Sequence, residues 1–110
     1  MNIYIDIDNV ICHSDVASDG KEDYSYRDAK PIHETIEKVN ALYRKGHRIT
    51  YWTARGTETG IDWRDMTIKQ LNRWGCKYHS LEMGKPAFDV FIDDKAYNVN
   101  QFVNDEVNFQ

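Results

Sequence analysis

Four aspartates, a threonine and a lysine stand at the ends of apolar runs in this chain. Asp6 and Asp8 tip the opening run "MNIYIDIDNVI"; Asp93 and Asp94 tip "AFDVFIDD". Thr53 closes "HRITYWTAR", and Lys85 sits in "GKP" just before the second acidic pair. Carboxylates at i and i+2 of a strand point to one side, about 6–7 Å apart. At an effective dielectric near 20 they repel by roughly 2.5 kcal/mol, and a second acidic pair adds to that. Protons or a cation must offset such a cluster. Oxygen-only ligands suit a hard ion that keeps several waters, and Mg²⁺ fits best. Any one of these aspartates alone reads more simply as a solvated strand end or a helix cap. Both pairs together with Thr53 and Lys85 read as a site.

The elements that must position these residues follow from periodicity. Ile3, Ile5 and Ile7 alternate with Tyr4, Asp6 and Asp8, the pattern of a strand, and its apolar character is that of an interior one. The polar stretch 13–30 has no period and contains the turn signal Asp19-Gly20. It is long for a loop in a small domain and reads as a flap. "PIHETIEKVNALYRKG" is a helix from Pro31 to Gly46 with Ile32, Ile36, Val39 and Tyr43 on one face. A second strand runs from Arg48 to about Trp52. "GIDWRDMTIKQLNRWG" is a second helix with Ile61, Ile68, Leu71 and Trp74 on its buried side. "KYHSLE" is a weak third strand, "AFDVFIDD" a fourth, and the remainder a short helix and tail. This order predicts an α/β fold with a parallel sheet and right-handed crossovers. Ligands of such sheets sit beyond the carboxyl ends of the strands, where Asp6, Asp8, Thr53, Asp93 and Asp94 would converge.

The totals bound the function. A chain of 110 residues fits one domain, 1–110, with little room for a second lobe. A net charge of −4 argues against nucleic-acid binding through a basic surface. No apolar run reaches the length of a membrane span and no leader precedes Met1, so a cytoplasmic protein with two reduced thiols, Cys12 and Cys76, is expected.

"DIDNV", "TAR", "GKP" and "VFIDD", in that order from Asp6 to Asp94, together resemble the haloacid dehalogenase superfamily of phosphotransferases. The wider wording "TARG" and "GKPAFDVFIDDKA" is similar to small phosphatases of capsule and lipopolysaccharide biosynthesis. The resemblance implies a three-layer α/β/α Rossmann-like parallel sheet, and neither usual insertion point holds a cap domain. It implies a Mg²⁺-dependent phosphate-monoester hydrolase acting on a sugar phosphate or a related intermediate of surface-polysaccharide synthesis. Asp6 would be the nucleophile, forming an aspartyl-phosphate. Asp8 would be the general acid and base, starting protonated because of nearby negative charge. Thr53 and Lys85 would hold the phosphoryl oxygens. Mg²⁺ would bind Asp6, the carbonyl of Asp8 and the acidic pair, Asp94 directly and Asp93 through water.

Arg55 and Gly56 follow Thr53 and read either as phosphate contacts or as a surface arginine and a turn glycine. Asn9 stands where the family often has glycine and would shape the loop at the substrate. Lys69 rivals Lys85 but lies inside the second helix. His33 and His47 read as solvated, His13 as a possible lining residue, His79 as core or rim, and the tryptophans as packing. A site without a cap is open and favours a protruding substrate, or cover from a second copy of the chain. Three alternatives stand: a nucleotide phosphatase of the same superfamily, a receiver-like signalling domain, and a non-catalytic metal-binding module. A receiver carries its acidic pair on the first strand and its phosphorylated Asp on the third, the reverse of the order here.

Overall fold

The computed structural model describes residues 1–14 and 26–109; the flap expected over 13–30 therefore lies mostly outside the described residues. The elements in chain order are β1 (Asn2–Ile5), β2 (Cys12–His13), β3 (Lys30–Pro31), α1 (His33–Arg44), β4 (Arg48–Trp52), α2 (Arg64–Arg73), β5 (Ser80–Glu82) and α3 (Val99–Val103). The main sheet is parallel in the order β1-β4-β5, with Ile5 level with Tyr51 and Tyr51 level with Leu81. β2 and β3 form a two-residue antiparallel ladder that ties together the two ends of the flap, Cys12 to Pro31 and His13 to Lys30.

Both crossovers step the same way across the sheet, so right-handed connections place α1 and α2 on the same face. The core agrees: Ile5, Ile7, Ile49, Tyr51 and Leu81 from the sheet pack with Ile36, Val39 and Leu42 of α1 and Leu71 and Trp74 of the second crossover. Burial of these side chains, worth about 1.5–3 kcal/mol each, is what holds two short helices that have no side-chain N-cap. Asn40 of α1 joins the two crossovers, donating to Gly75 O (2.9 Å) and accepting from Lys77 N–H (2.8 Å). Each helix is closed by a bond back across its last turn, His47 N–H to Leu42 O and Cys76 N–H to Leu71 O. α3 carries a capping box of Asn98 and Gln101 and packs against α1, with Lys38 paired to Asp105 at 2.7 Å. The structure is thus an α/β fold on a parallel sheet. Among the described residues no helix covers its second face, the open face: Tyr4 there is 57% exposed and meets Trp52 edge-on, although its neighbour Thr50 is buried.

Several expectations are corrected. The fourth strand is not formed. Residues 86–98 are exposed throughout, and Val90, Phe91 and Ile92 turn their apolar side chains to water. As a result β1, expected in the interior of the sheet, lies at its edge. The second helix starts at Arg64, so Ile61 precedes it and is exposed. His47 is buried, not solvated: its Nδ1 lies 3.0 Å from the N-terminal ammonium, which fixes the start of β1 beside β4. His79 accepts the Ile49 N–H and stacks on Tyr43, and His13 and His33 are exposed. The tryptophans pack, Trp63 against Tyr26 and Trp74 in the core.

Candidate functional site at the carboxyl ends of the strands

β1 ends at Ile5, one residue before the first aspartate. Beyond it the chain turns sharply. Val10 and Ile11 both donate to Ile7 O, and Asn9 donates to Cys12 O at 2.8 Å. Asn9 sits at φ +65°, a left-handed conformation that asparagine tolerates better than other residues with a side chain. This accounts for a residue standing where the resembling family often has glycine.

The turn sends the two carboxylates in different directions. Asp6 takes the open face, where its Oδ2 lies 3.3 Å from Lys85 Nζ. That ammonium stands over the rings of Trp52 and Phe88, 5.7 and 5.4 Å from their centres. Asp8 turns toward α2 and is gripped by Arg55, Nε to Oδ2 at 3.0 Å and Nη2 to Oδ1 at 2.9 Å. The expectation of two mutually repelling carboxylates on one strand face is therefore corrected. Each has its own cation from within the chain, Lys85 for Asp6 and Arg55 for Asp8.

Arg55 is neither a surface residue nor an open phosphate contact. Its side chain is fully buried. Nη1 donates to Thr67 Oγ1 (3.1 Å) and Gln70 Oε1 (2.6 Å), Nη2 also approaches Cys12 Sγ, and the guanidinium stacks 4.7 Å over Tyr26. All five donors of the fork are engaged, which makes Arg55 a positioning residue for Asp8. Ser14 adds a 2.5 Å hydroxyl contact to Asp8 Oδ1. Gly56 has φ +80°, and a Cβ there would strike the carbonyl oxygen of Ile61. The tight 54–60 turn needs glycine for this backbone reason.

Thr53 is buried at the end of β4. Its N–H donates to Glu82 O, its carbonyl accepts from Lys85 N–H (3.0 Å), and its hydroxyl accepts from Arg55 N–H (3.1 Å). Because β4 runs parallel to β1, the Thr53 hydroxyl stands at the same end of the sheet as Asp6. Thr57 Oγ1 donates to Lys85 O at 2.8 Å, so Lys85 is pinned at both its amide and its carbonyl. Its rival Lys69 lies on α2, at a depression shared with Arg27, Met66, Gln70 and Arg73 and remote from Asp6.

The structure therefore gathers Asp6, Asp8, Thr53, Arg55 and Lys85 at one end of the sheet. It does not bring Asp93 and Asp94 there; both lie in the exposed run and make no ion pair among the described residues. The residues missed from sequence are Ser14, Thr67, Gln70 and Tyr26, which hold Asp8 and Arg55. A signal for two of them was present: Thr67 and Gln70 fall on the buried side of α2 beside Leu71, where polar groups need a partner.

The donor set decides how well one chain suits Mg²⁺, which asks for six near-octahedral oxygens. Asp6 offers a half-exposed carboxylate already paired with Lys85, and the Asp8 carboxylate is filled by Arg55 and Ser14. Among the described residues no group of three or more His, Cys, Asp or Glu is placed to hold a metal. The described residues of a single chain do not fit the ion.

Burial raises the Cys12 thiol to about 12, helped by the Asp8 charge, and raises Cys76 to about 11. Neither is a nucleophile at neutral pH.

No family model matches the chain, and no curated protein matches it. Its fold is similar to that of a crystal structure from Vibrio cholerae described only as a target protein. The TM-score is 0.77 and the identity 21%, over 93% of this chain and 86% of that one. That likeness extends to the fold alone. No helix among the described residues is long and apolar enough to cross a membrane.

Proposed function

We propose that the chain is a phosphate-monoester hydrolase of the haloacid dehalogenase type, with a capless Rossmann-like core and an open site. The observation that carries this is the Asp6 carboxylate, 37% exposed at the end of β1, facing the Lys85 ammonium at 3.3 Å with the Thr53 hydroxyl at the same strand end. An anionic nucleophile beside a fixed cation and a fixed hydroxyl suits a group that arrives with three negative oxygens.

In this mechanism Asp6 Oδ attacks phosphorus in line. The new O–P bond forms as the bond to the leaving oxygen breaks. Lys85 releases its contact with Asp6 to a phosphoryl oxygen, and Thr53 donates its hydroxyl proton to another, so charge is matched as it develops. The leaving oxygen takes its proton from solvent, and the Asp8 carboxylate then takes one from the water that hydrolyses the acyl-phosphate. To do so it exchanges a contact with Ser14 or Arg55 for that water, and Arg55 limits how far it can travel. The open second face, with Tyr4 and Trp52 beside Lys85, suits a protruding substrate such as a sugar phosphate or a related intermediate of surface-polysaccharide synthesis. Purified protein should release phosphate from an aryl phosphate with Mg²⁺ present, and Asp6→Asn should lose at least about 10³-fold in kcat. Full turnover in Asp6→Asn would end this proposal. A screen of sugar phosphates against nucleotides assigns the substrate.

A further inference from the structure

Among the described residues β1 has a free edge, and 88–92 is a strand-like apolar run with nothing to pair with. Ile92 is 93% exposed and Val90 73%. A bare edge next to an unpaired apolar strand invites addition of one to the other. Yet the chain cannot make this pairing with itself while keeping the site. For Asp93 to come level with Asp6, the run must lie parallel to β1, with Asp89 level with Asn2; an antiparallel strand would carry the acids to the wrong end. Lys85 is held beside Thr53, on the β5 side of β4, because the Thr53 N–H and C=O both point that way. From there to Asp89 in that pairing is about 17 Å along the strands and about 14 Å across three strand spacings, roughly 22 Å in all. The four residues from Lys85 to Asp89 reach about 14 Å at most.

We infer that the occupant of the β1 edge is the 88–92 run of a second copy of this chain, so that the protein is a strand-exchanged dimer in which the partner's Asp93 and the partner's Asp94 complete the acidic site at Asp6. The pleat supports this register. Val90 and Ile92 join Ile3 and Ile5 on the face covered by α1 and α2, and Phe91 and Asp93 join Tyr4 and Asp6 on the open face. The exposed apolar side chains are buried, and a carboxylate pair arrives where the described residues of one chain lack ligands for a hard divalent cation. The exchange is reciprocal and closed, which gives a two-fold dimer. The choice of the β1 edge over the β5 edge rests on the functional reading of Asp6.

The test uses the full chain. Tyr4→Cys and Phe91→Cys are on the open face and level with each other in this pairing. Prepared separately, mixed and oxidised, they should give a disulfide-linked pair of chains. Neither variant should do so alone, because the native thiols Cys12 and Cys76 are buried. Light scattering of the unmodified protein at the same concentration should give twice the 13.0 kDa chain mass. A 13.0 kDa particle with no cross-link, or a disulfide closed within one chain of the double variant, would overturn the inference. Mixing Asp6→Asn with the double variant Asp93→Asn/Asp94→Asn should restore phosphatase activity to about a quarter of the unmodified protein's, since half the dimers carry one intact site; pairing within one chain would restore none. A cross-linked dimer that never shows phosphatase activity keeps the strand exchange and removes the function proposed for Asp6.

Discussion

Two stretches of this chain have nearly the same lettering. Residues 3–8 run Ile-Tyr-Ile-Asp-Ile-Asp, and residues 90–94 run Val-Phe-Ile-Asp-Asp. The first is paired in a parallel sheet, and its Ile5 and Ile7 are buried under two helices. The second is an exposed run with no ladder. Local preference is alike in both, so preference does not explain the difference. What differs is reach. β1 begins at the ammonium clasped by His47 and is followed by a 42-residue path that allows a crossover to β4. The later run follows Lys85 by a few residues, and Lys85 is already tied to Thr53 and Thr57. An apolar alternation states that a strand will form where an edge is within reach; it does not state whose edge.

The sharpest way to break the comparison is to loosen the first region. Arg55→Met removes the guanidinium that grips Asp8 and leaves that carboxylate, with Thr67 and Gln70, without its partner. Losing one member of a largely buried ion pair costs about 3–5 kcal/mol. The denaturant midpoint should fall accordingly. Arg55→Lys should recover little, because an ammonium cannot reproduce the two-pronged contact or the stack on Tyr26. A midpoint unchanged in Arg55→Met would show that Asp8 is held by Ser14 and the 7–12 turn alone.

Gly56→Ala comes next. A left-handed φ and a Cβ directed at the Ile61 carbonyl together cost about 1–3 kcal/mol. If the 54–60 turn also sets Lys85 through Thr57, KM for an aryl phosphate should rise with the loss of stability. Unchanged stability would mean that the turn relaxes freely and plays no part in placing Lys85.

How much of this was legible beforehand differs residue by residue. Strand β4 was legible from its apolar run, and the two long helices from their apolar faces and their stops at Gly46 and Gly75, although the start of α2 was not. Asp6, Thr53 and Lys85 were legible because acid, hydroxyl and amine fall at strand ends. The direction of Asp8 was not. Strand pairing stops at Ile5 and the chain turns over Ile7–Ile11, so strand geometry no longer keeps the two side chains together. The burial of Arg55 was not legible either, since its partners come from three separate segments: Asp8, Tyr26, and Thr67 with Gln70 on α2. Nor was the exposure of 86–98, which depends on where Lys85 is anchored, not on the letters of the run.

The buried thiols give a smaller effect with a definite sign. Cys76 has its pKa raised by burial from 9.0 to about 11, so between those values the unfolded chain loses a proton that the native chain keeps. Stability is then fully present below pH 9 and falls as pH rises through that window. Cys12, raised to about 12, extends the fall upward. The denaturant midpoint should drop from pH 9 toward pH 11, and less steeply in Cys76→Ala once its own cavity penalty at neutral pH is subtracted. A slope identical in the two proteins would show that Cys76 ionises as readily folded as unfolded.

The smallest effect on the folded chain falls in the second region, and its form is more telling than its size. Ile92→Ala removes apolar atoms that water already surrounds in one chain, so in dilute solution it should change the midpoint by less than about 0.5 kcal/mol. Any contact that Ile92 makes with a second copy enters by mass action instead. The midpoint of the unmodified protein should then climb with protein concentration, while that of Ile92→Ala climbs less, and the two curves should meet at the dilute end. Curves that differ by the same amount at every concentration would place Ile92 in the core of its own chain. The two acid-tipped runs would then be alike in structure as they are in lettering.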